Sequence, residues 1–327
     1  MDTSDIEKRV KSMKEVGGYI ELDTYQLPMW HENAIGLNCG RNALAYLFKS
    51  RSIRKIRLPI FICSSIPDVC EREGIKKRFY SINSNFRPQD NLVLDEDEWL
   101  YIVNYYGQIS NEELKEYVHK YNRVIIDQAN GYFEKPLAGV DTIYTCRKWF
   151  GVPDGAFLYT DSLLSEELPI DESFNRMSFL LGRYERTANE FYREYTENNR
   201  YFANEPIKRM SKLTRNLLHG IDYDFVKQRR QENFEYLNEQ LKHINQLNVN
   251  TATFMYPLMI ENGAKIRKQL QAKYIYVPIL WPGVFEYTSP EELEYRMALN
   301  ILPLPIDQRY SLDDMDYIVK EVLQCIN

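Results

Sequence analysis

Three short stretches of this chain hold residue types that could act together on one small molecule. Lys148 follows the apolar run TIYTC and precedes a turn containing Gly151, Pro153 and Gly155. A lysine amine attacks carbonyl carbon once burial or a neighbouring cation lowers its proton affinity, and Arg147 is such a neighbour. Thr145, three residues earlier, offers a hydroxyl suited to a phosphate. Asp127 ends the run RVIID, where a carboxylate can pair with a protonated ring nitrogen and keep that ring charged as an electron sink. Asn130, three residues on, can reach a phenolic oxygen of the same ring. At Gly40 an apolar run gives way to the helical pattern NALAYLF, so the backbone can approach a ligand closely and the free amides of Arg41 and Asn42 can bind a phosphate. Arg309, in LPLPIDQRY, carries the planar fork that grips a carboxylate bidentately, with Arg183 and Arg215 as further choices. Each feature alone has a plainer reading: a strand–glycine–helix turn, an aspartate capping a loop, a surface Arg-Lys pair, an arginine exposed before the last helix. Residue type leaves both readings open.

These residues need strands to end where they stand. Between residues 34 and 160 short β-rich runs alternate with helical patterns, which predicts an α/β fold with a mainly parallel, seven-stranded sheet flanked by helices. The expected strands are AIGLN, KIRLP, KRFYSI, WLYIVN, RVIID, TIYTC and AFLYT. Helices are expected from Arg41, after Ser64 with Pro67 in the first turn, and over NEELKEYVHKY with Ser110 as cap. In such sheets ligands bind beyond the carboxyl ends of the strands, where Asp127 and Lys148 both fall. Long polar and aromatic helices are expected over 171–204 and 223–244. They are followed by strands near TATFMYPLMI and YIYVPIL, a helix near AKIRKQLQ and a closing helix over 313–325. The domain reading is a large domain, 1–222, and a smaller α+β domain, 223–327.

The net charge of −6 supplies no global attraction to nucleic acid or anionic lipid, so neither is expected as a partner. No run approaches the roughly 20 apolar residues of a membrane span. MDTSDIEKRVKSMKEVGG lacks the apolar stretch of a secretory signal, and a cytoplasmic protein is the expectation. Five scattered cysteines without a C-x-x-C pair read as free thiols, and the four dispersed histidines suggest no metal site or triad.

The order of pieces resembles the DegT/StrS-type aminotransferases of sugar biosynthesis, within the aspartate-aminotransferase-like superfamily that uses pyridoxal 5'-phosphate (PLP). The resemblance runs through GGYIEL, NCGRNAL, YIVNYYGQ, VIIDQANGYF, TCRKWFGVPDGA and NILPLPIDQRY. It implies that Lys148 holds PLP as a Schiff base and that Asp127 pairs with the pyridine nitrogen. Gly40, Arg41, Asn42, Asn104, Asn130 and Thr145 would complete the cofactor site, Asn104 standing where the family often has His and Asn130 where it usually has Gln. Cys63, with Phe61 nearby, falls where the family stacks an aromatic residue on the ring. The resemblance further implies a homodimer that transfers an amino group, with glutamate as donor, to a keto-sugar that can be nucleotide-linked, in surface polysaccharide or amino-sugar biosynthesis. Arg309 would hold the donor carboxylate. The alternatives are another PLP reaction on this fold, such as elimination or dehydration, and a binding protein that has lost turnover.

Overall fold

The computed structural model describes residues 16–326. Each expected strand of the first part forms. They are β1 (Ile35–Leu37), β2 (Lys55–Pro59), β3 (Lys76–Tyr80), β4 (Glu98–Val103), β5 (Val124–Asp127), β6 (Asp141–Thr145) and β7 (Ala156–Tyr159), in the order β1-β7-β6-β5-β4-β2-β3. Only β7 runs against the rest, antiparallel to both β1 and β6. The parallel strands β4 and β5 are buried on both faces, which is why they read as near-continuous apolar runs. The helices α1 (Gly40–Ser50), α2 (Ser65–Arg72) and α3 (Asn111–Tyr121) connect them. In α3 the Ser110 hydroxyl accepts from the Glu113 amide while the Glu113 carboxylate accepts from the Ser110 amide, a reciprocal cap that fixes where the helix starts.

The helix expected over 171–204 is broken in two, α4 (Ser178–Glu185) and α5 (Tyr192–Tyr201). Arg186 is extended, and Thr187 donates from both its amide and its hydroxyl to Glu190. These contacts precede a short 3-10 turn over Asn189–Phe191 that leads into α5, dividing what reads as one amphipathic stretch. After α6 (Lys212–Leu218) comes α7 (Tyr223–Leu241), capped by Asp222. A second sheet pairs β8 (Met255–Met259) with β9 (Ile301–Pro305), surrounded by α8 (Gly263–Ala272), α9 (Leu293–Asn300) and α10 (Leu312–Ile326). Pro257 faces Pro303 and Met255 faces Pro305. All three prolines therefore fall in alternate pairs of one class, the pairs that exchange no ladder hydrogen bonds, so their missing N–H groups leave the ladder intact. The strand expected over YIYVPIL does not form. Its alternation is real, with Ile275 and Val277 buried and Tyr274 and Tyr276 exposed, but no neighbouring strand offers it a ladder. Among the described residues no helix is long and apolar enough to cross a membrane.

Ahead of β1, His31 is enclosed by Tyr132, Tyr144, Phe157 and Tyr159. Its Nε2 lies 2.8 Å from the Tyr132 carbonyl, which can only accept, so Nε2 carries the proton and Nδ1 accepts from the Tyr159 hydroxyl at 3.1 Å. Burial lowers the imidazole pKa to about 4, against a weaker opposing pull from the Tyr132 carbonyl. The unfolded chain then binds a proton that the folded one refuses between the ordinary histidine pKa and about 4, so this residue's contribution to stability declines as pH falls through that window. About 3 kcal/mol should be lost by pH 4 relative to His31→Phe, which lacks the titration. Denaturant melts of both proteins across pH 4 to 7 check this; parallel pH profiles would exclude it.

Candidate active site

The carboxyl ends of β4, β5 and β6 lie side by side and place the central residues. Asp127 is the last residue of β5 and pairs in register with Val103, while Tyr101 sits two residues back on the same face of β4. The Tyr101 hydroxyl donates to Asp127 Oδ2 at 2.9 Å, and the Ala129 amide donates to Oδ1 at 2.7 Å. Burial pushes the Asp127 carboxyl above its ordinary range; the Lys148 charge, the Ala129 amide and the Tyr101 hydroxyl pull the other way without cancelling it. Tyr101 escapes sequence reading because it lies in an ordinary apolar alternation, and only the β4–β5 register shows it to be a diagonal neighbour of Asp127.

Lys148 stands in the tight turn after β6, where the amides of Trp149 and Phe150 both donate to the Cys146 carbonyl. Its side chain is exposed, and Nζ lies 5.5 Å from the centre of the Phe254 ring just ahead of β8. The turn is held from below. Arg230 of α7 is only 1% exposed and has no carboxylate partner among the described residues. It donates to the carbonyls of Trp149, Thr253 and Phe254 and to the side chain of Gln308, and its guanidinium lies 4.5 Å from the centre of the Trp149 ring. Gln308 also donates to the Trp149 carbonyl at 2.9 Å. Burial lowers the Arg230 pKa to about 10, still charged at neutrality. Gly155 closes the turn at φ +112, where a Cβ would meet Thr214 and Cys146 at 3.1–3.2 Å.

The other expected residues divide. Asn130 is buried, and its Oδ1 has no partner. Thr145 ends β6, half-buried. Gly40 starts α1 beside β6, its position open enough that a Cβ would only touch Ile143. Asn42 spends its amide on Asn38, Glu205, Pro206 and Arg72. Asn104 likewise fastens Ile109 and Gln128, and its backbone amide donates to the Asp127 carbonyl. Both side chains brace the site from within the protein. Phe61 is buried against Tyr105 and Trp281, turned into the core, and Cys63 remains half-buried at the loop edge. Arg309, expected to hold a carboxylate, donates from Nε and Nη2 to the two oxygens of Asp307 at 2.6 and 2.9 Å. That partner stands two residues away, close enough to compete with any incoming carboxylate.

The sheet order, the single reversed strand and the smaller two-stranded sheet define the fold of PLP-dependent transferases. No family model matches this sequence, and no curated protein does. Solved structures do match. CalS13, a sugar aminotransferase from Micromonospora echinospora, superposes with a TM-score of 0.62 at 15% identity over 90% of this chain and 88% of that one. PseC of Helicobacter pylori, an aminotransferase in pseudoaminic acid biosynthesis, gives 0.63 at 14% over 99% and 96%. NtdA of Bacillus subtilis, solved with its cofactor PMP, gives 0.65 at 13% over 93% and 78%. At these identities the likeness is one of fold, that of the DegT/StrS-type sugar aminotransferases. The residues present fit PLP on their own terms: a buried Asn130 Oδ1 without a partner, and a buried carboxylate at Asp127 whose charge is disfavoured by burial.

Proposed function

We propose that this protein is a PLP-dependent aminotransferase that moves the amino group of glutamate to the keto group of a sugar, with a nucleotide-linked sugar as one form of substrate, in surface polysaccharide or amino-sugar biosynthesis. The observation that carries the reading is that Asp127 ends β5 and Lys148 follows the end of the adjacent parallel strand β6, with the buried Asn130 Oδ1 unpartnered between them in sequence. PLP, once bound, supplies an aldehyde carbon for amine exchange and a ring that spreads the electron pair. Asp127 would receive the ring nitrogen's proton-bearing side as its missing positive partner and so keep that nitrogen charged. Lys148 Nζ would hold the cofactor and, when released, take the proton from the substrate carbon and return it. Thr145, Gly40 and Arg41 would face the phosphate. The exposed Tyr19 and Ile20 near the amino end, with Phe174, Leu181, Tyr184 and Tyr192 around α4 and α5, support a homodimer, since so many large apolar side chains need covering.

Adding glutamate to the PLP-loaded protein tests the reaction. The yellow chromophore should convert to the pyridoxamine form with one 2-oxoglutarate released per site, and a keto-sugar should restore it. A chromophore unmoved by glutamate and other amino acids would sink transamination and favour elimination or simple binding.

A further inference from the structure

Arg41 and Arg147 gather at the amino end of α1, around its cap Cys39. Arg147 donates from Nη1 to the Asn199 side-chain oxygen at 2.6 Å, and Arg41 donates from Nη1 to the Asn199 carbonyl at 3.2 Å. The two guanidinium groups thus sit on one residue of α5, and neither has a carboxylate partner among the described residues. Other part-buried arginines of this chain do: Arg51 with Asp141, Arg57 with Glu98, Arg176 with Asp171. The Nε of Arg147 is buried and has no acceptor at all, and the Phe202 ring covers the guanidinium at 4.7 Å. The first turn of α1 contains no acidic residue, and its cap, Cys39, contributes no side-chain hydrogen bond. Burial keeps the Cys39 thiol protonated, so it supplies no counter-charge. Two cations without an ion-paired carboxylate among the described residues therefore converge on the positive end of an 11-residue helix. A cation left so is costly unless a charged acceptor completes it.

Arg147 is also the chain neighbour of Lys148, and the two side chains leave the turn in different directions. Lys148 extends to Phe254, and Arg147 to Asn199 of α5. One turn therefore presents an amine and a guanidinium to a ligand whose carbonyl and phosphate ester occupy neighbouring positions on a ring. We propose that Arg147, assisted by Arg41, grips the phosphate of PLP at the amino end of α1, so that a guanidinium from the same turn as Lys148 anchors the cofactor. This rests on the reading of Lys148 given above.

Comparing PLP with pyridoxal, which lacks the phosphate, separates the two ideas. Dissociation constants for both are measured by absorbance, and borohydride incorporation at Lys148 is scored alongside, in the parent, Arg147→Gln and Arg147→Lys. Arg147→Gln should weaken PLP about tenfold to hundredfold and leave pyridoxal unchanged, and Arg147→Lys should recover part of the loss. Equal weakening of both ligands, or of neither, would overturn the grip and leave Lys148 standing. A parent that takes up neither ligand at Lys148 would overturn the reading beneath it, and the grip with it.

Discussion

Borohydride reduction of the PLP-loaded protein should leave its label on a single peptide, the one containing Lys148, and Lys148→Ala should abolish measurable turnover. The expectation follows from where the lysines are. Lys55, Lys77, Lys208, Lys273 and Lys320 are each held by a carboxylate, Asp97, Glu71, Glu205, Glu321 and Asp316 respectively. An ammonium so paired must lose its partner before it can act as an amine. Lys148 instead rests on an aromatic ring beyond the end of β6 with no salt-bridge partner among the described residues, and Asp127, at the end of the adjacent strand, is itself engaged by Tyr101 and Ala129. It can reach a ligand above the strand ends without breaking an ion pair. Removing a positioned proton-transfer group typically lowers a rate by about 10²- to 10⁴-fold, and here the covalent anchor disappears as well. Peptide mapping by mass spectrometry decides the matter: a label on any other lysine, or substantial turnover by the alanine variant, refutes the assignment.

Asp127→Asn should reduce turnover by roughly 10²- to 10³-fold, the scale of losing one preorganised electrostatic partner, while the protein keeps its fold and some affinity for PLP. The side chains are nearly isosteric. The remaining oxygen can still accept from the Ala129 amide, and the new amide can donate to the Tyr101 oxygen, leaving only the hydroxyl proton without its present acceptor. That costs about 1 kcal/mol or a little more, small beside the lost charge. Thermal melting of the variant should therefore stay close to the parent while its rate collapses. Near-normal rates would mean that the carboxylate only staples the strand end.

The large sheet was legible because β4 and β5 are buried on both faces and so appear as short apolar runs, each punctuated by a polar strand end such as Asn104 or Asp127. The same logic put Asp127 at the end of β5 and Lys148 just past the end of β6. It could not locate Arg230, Phe254 or Gln308, which converge on Trp149 from 81, 105 and 159 residues away; long-range contacts leave no period in the sequence. The break at Arg186 was legible in principle, through Thr187 and Glu190, but the aromatic pattern on either side masks it. Arg309 shows a different limit. Its type suits carboxylate recognition, and nothing in the local sequence pattern shows that Asp307, two residues away, pairs with it.

The Arg230 contacts bear on how the protein can open. This guanidinium touches the turn of Lys148 and both peptides leading into β8 at once, so parting them would strand an unpaired charge in a dry interior. Breaking such a buried set costs about 3 to 5 kcal/mol, too much for frequent breathing. Trp149 and Phe254 therefore behave as one rigid floor beneath the lysine, and the clearance needed for a substrate to enter and a product to leave must come from elements on the opposite rim.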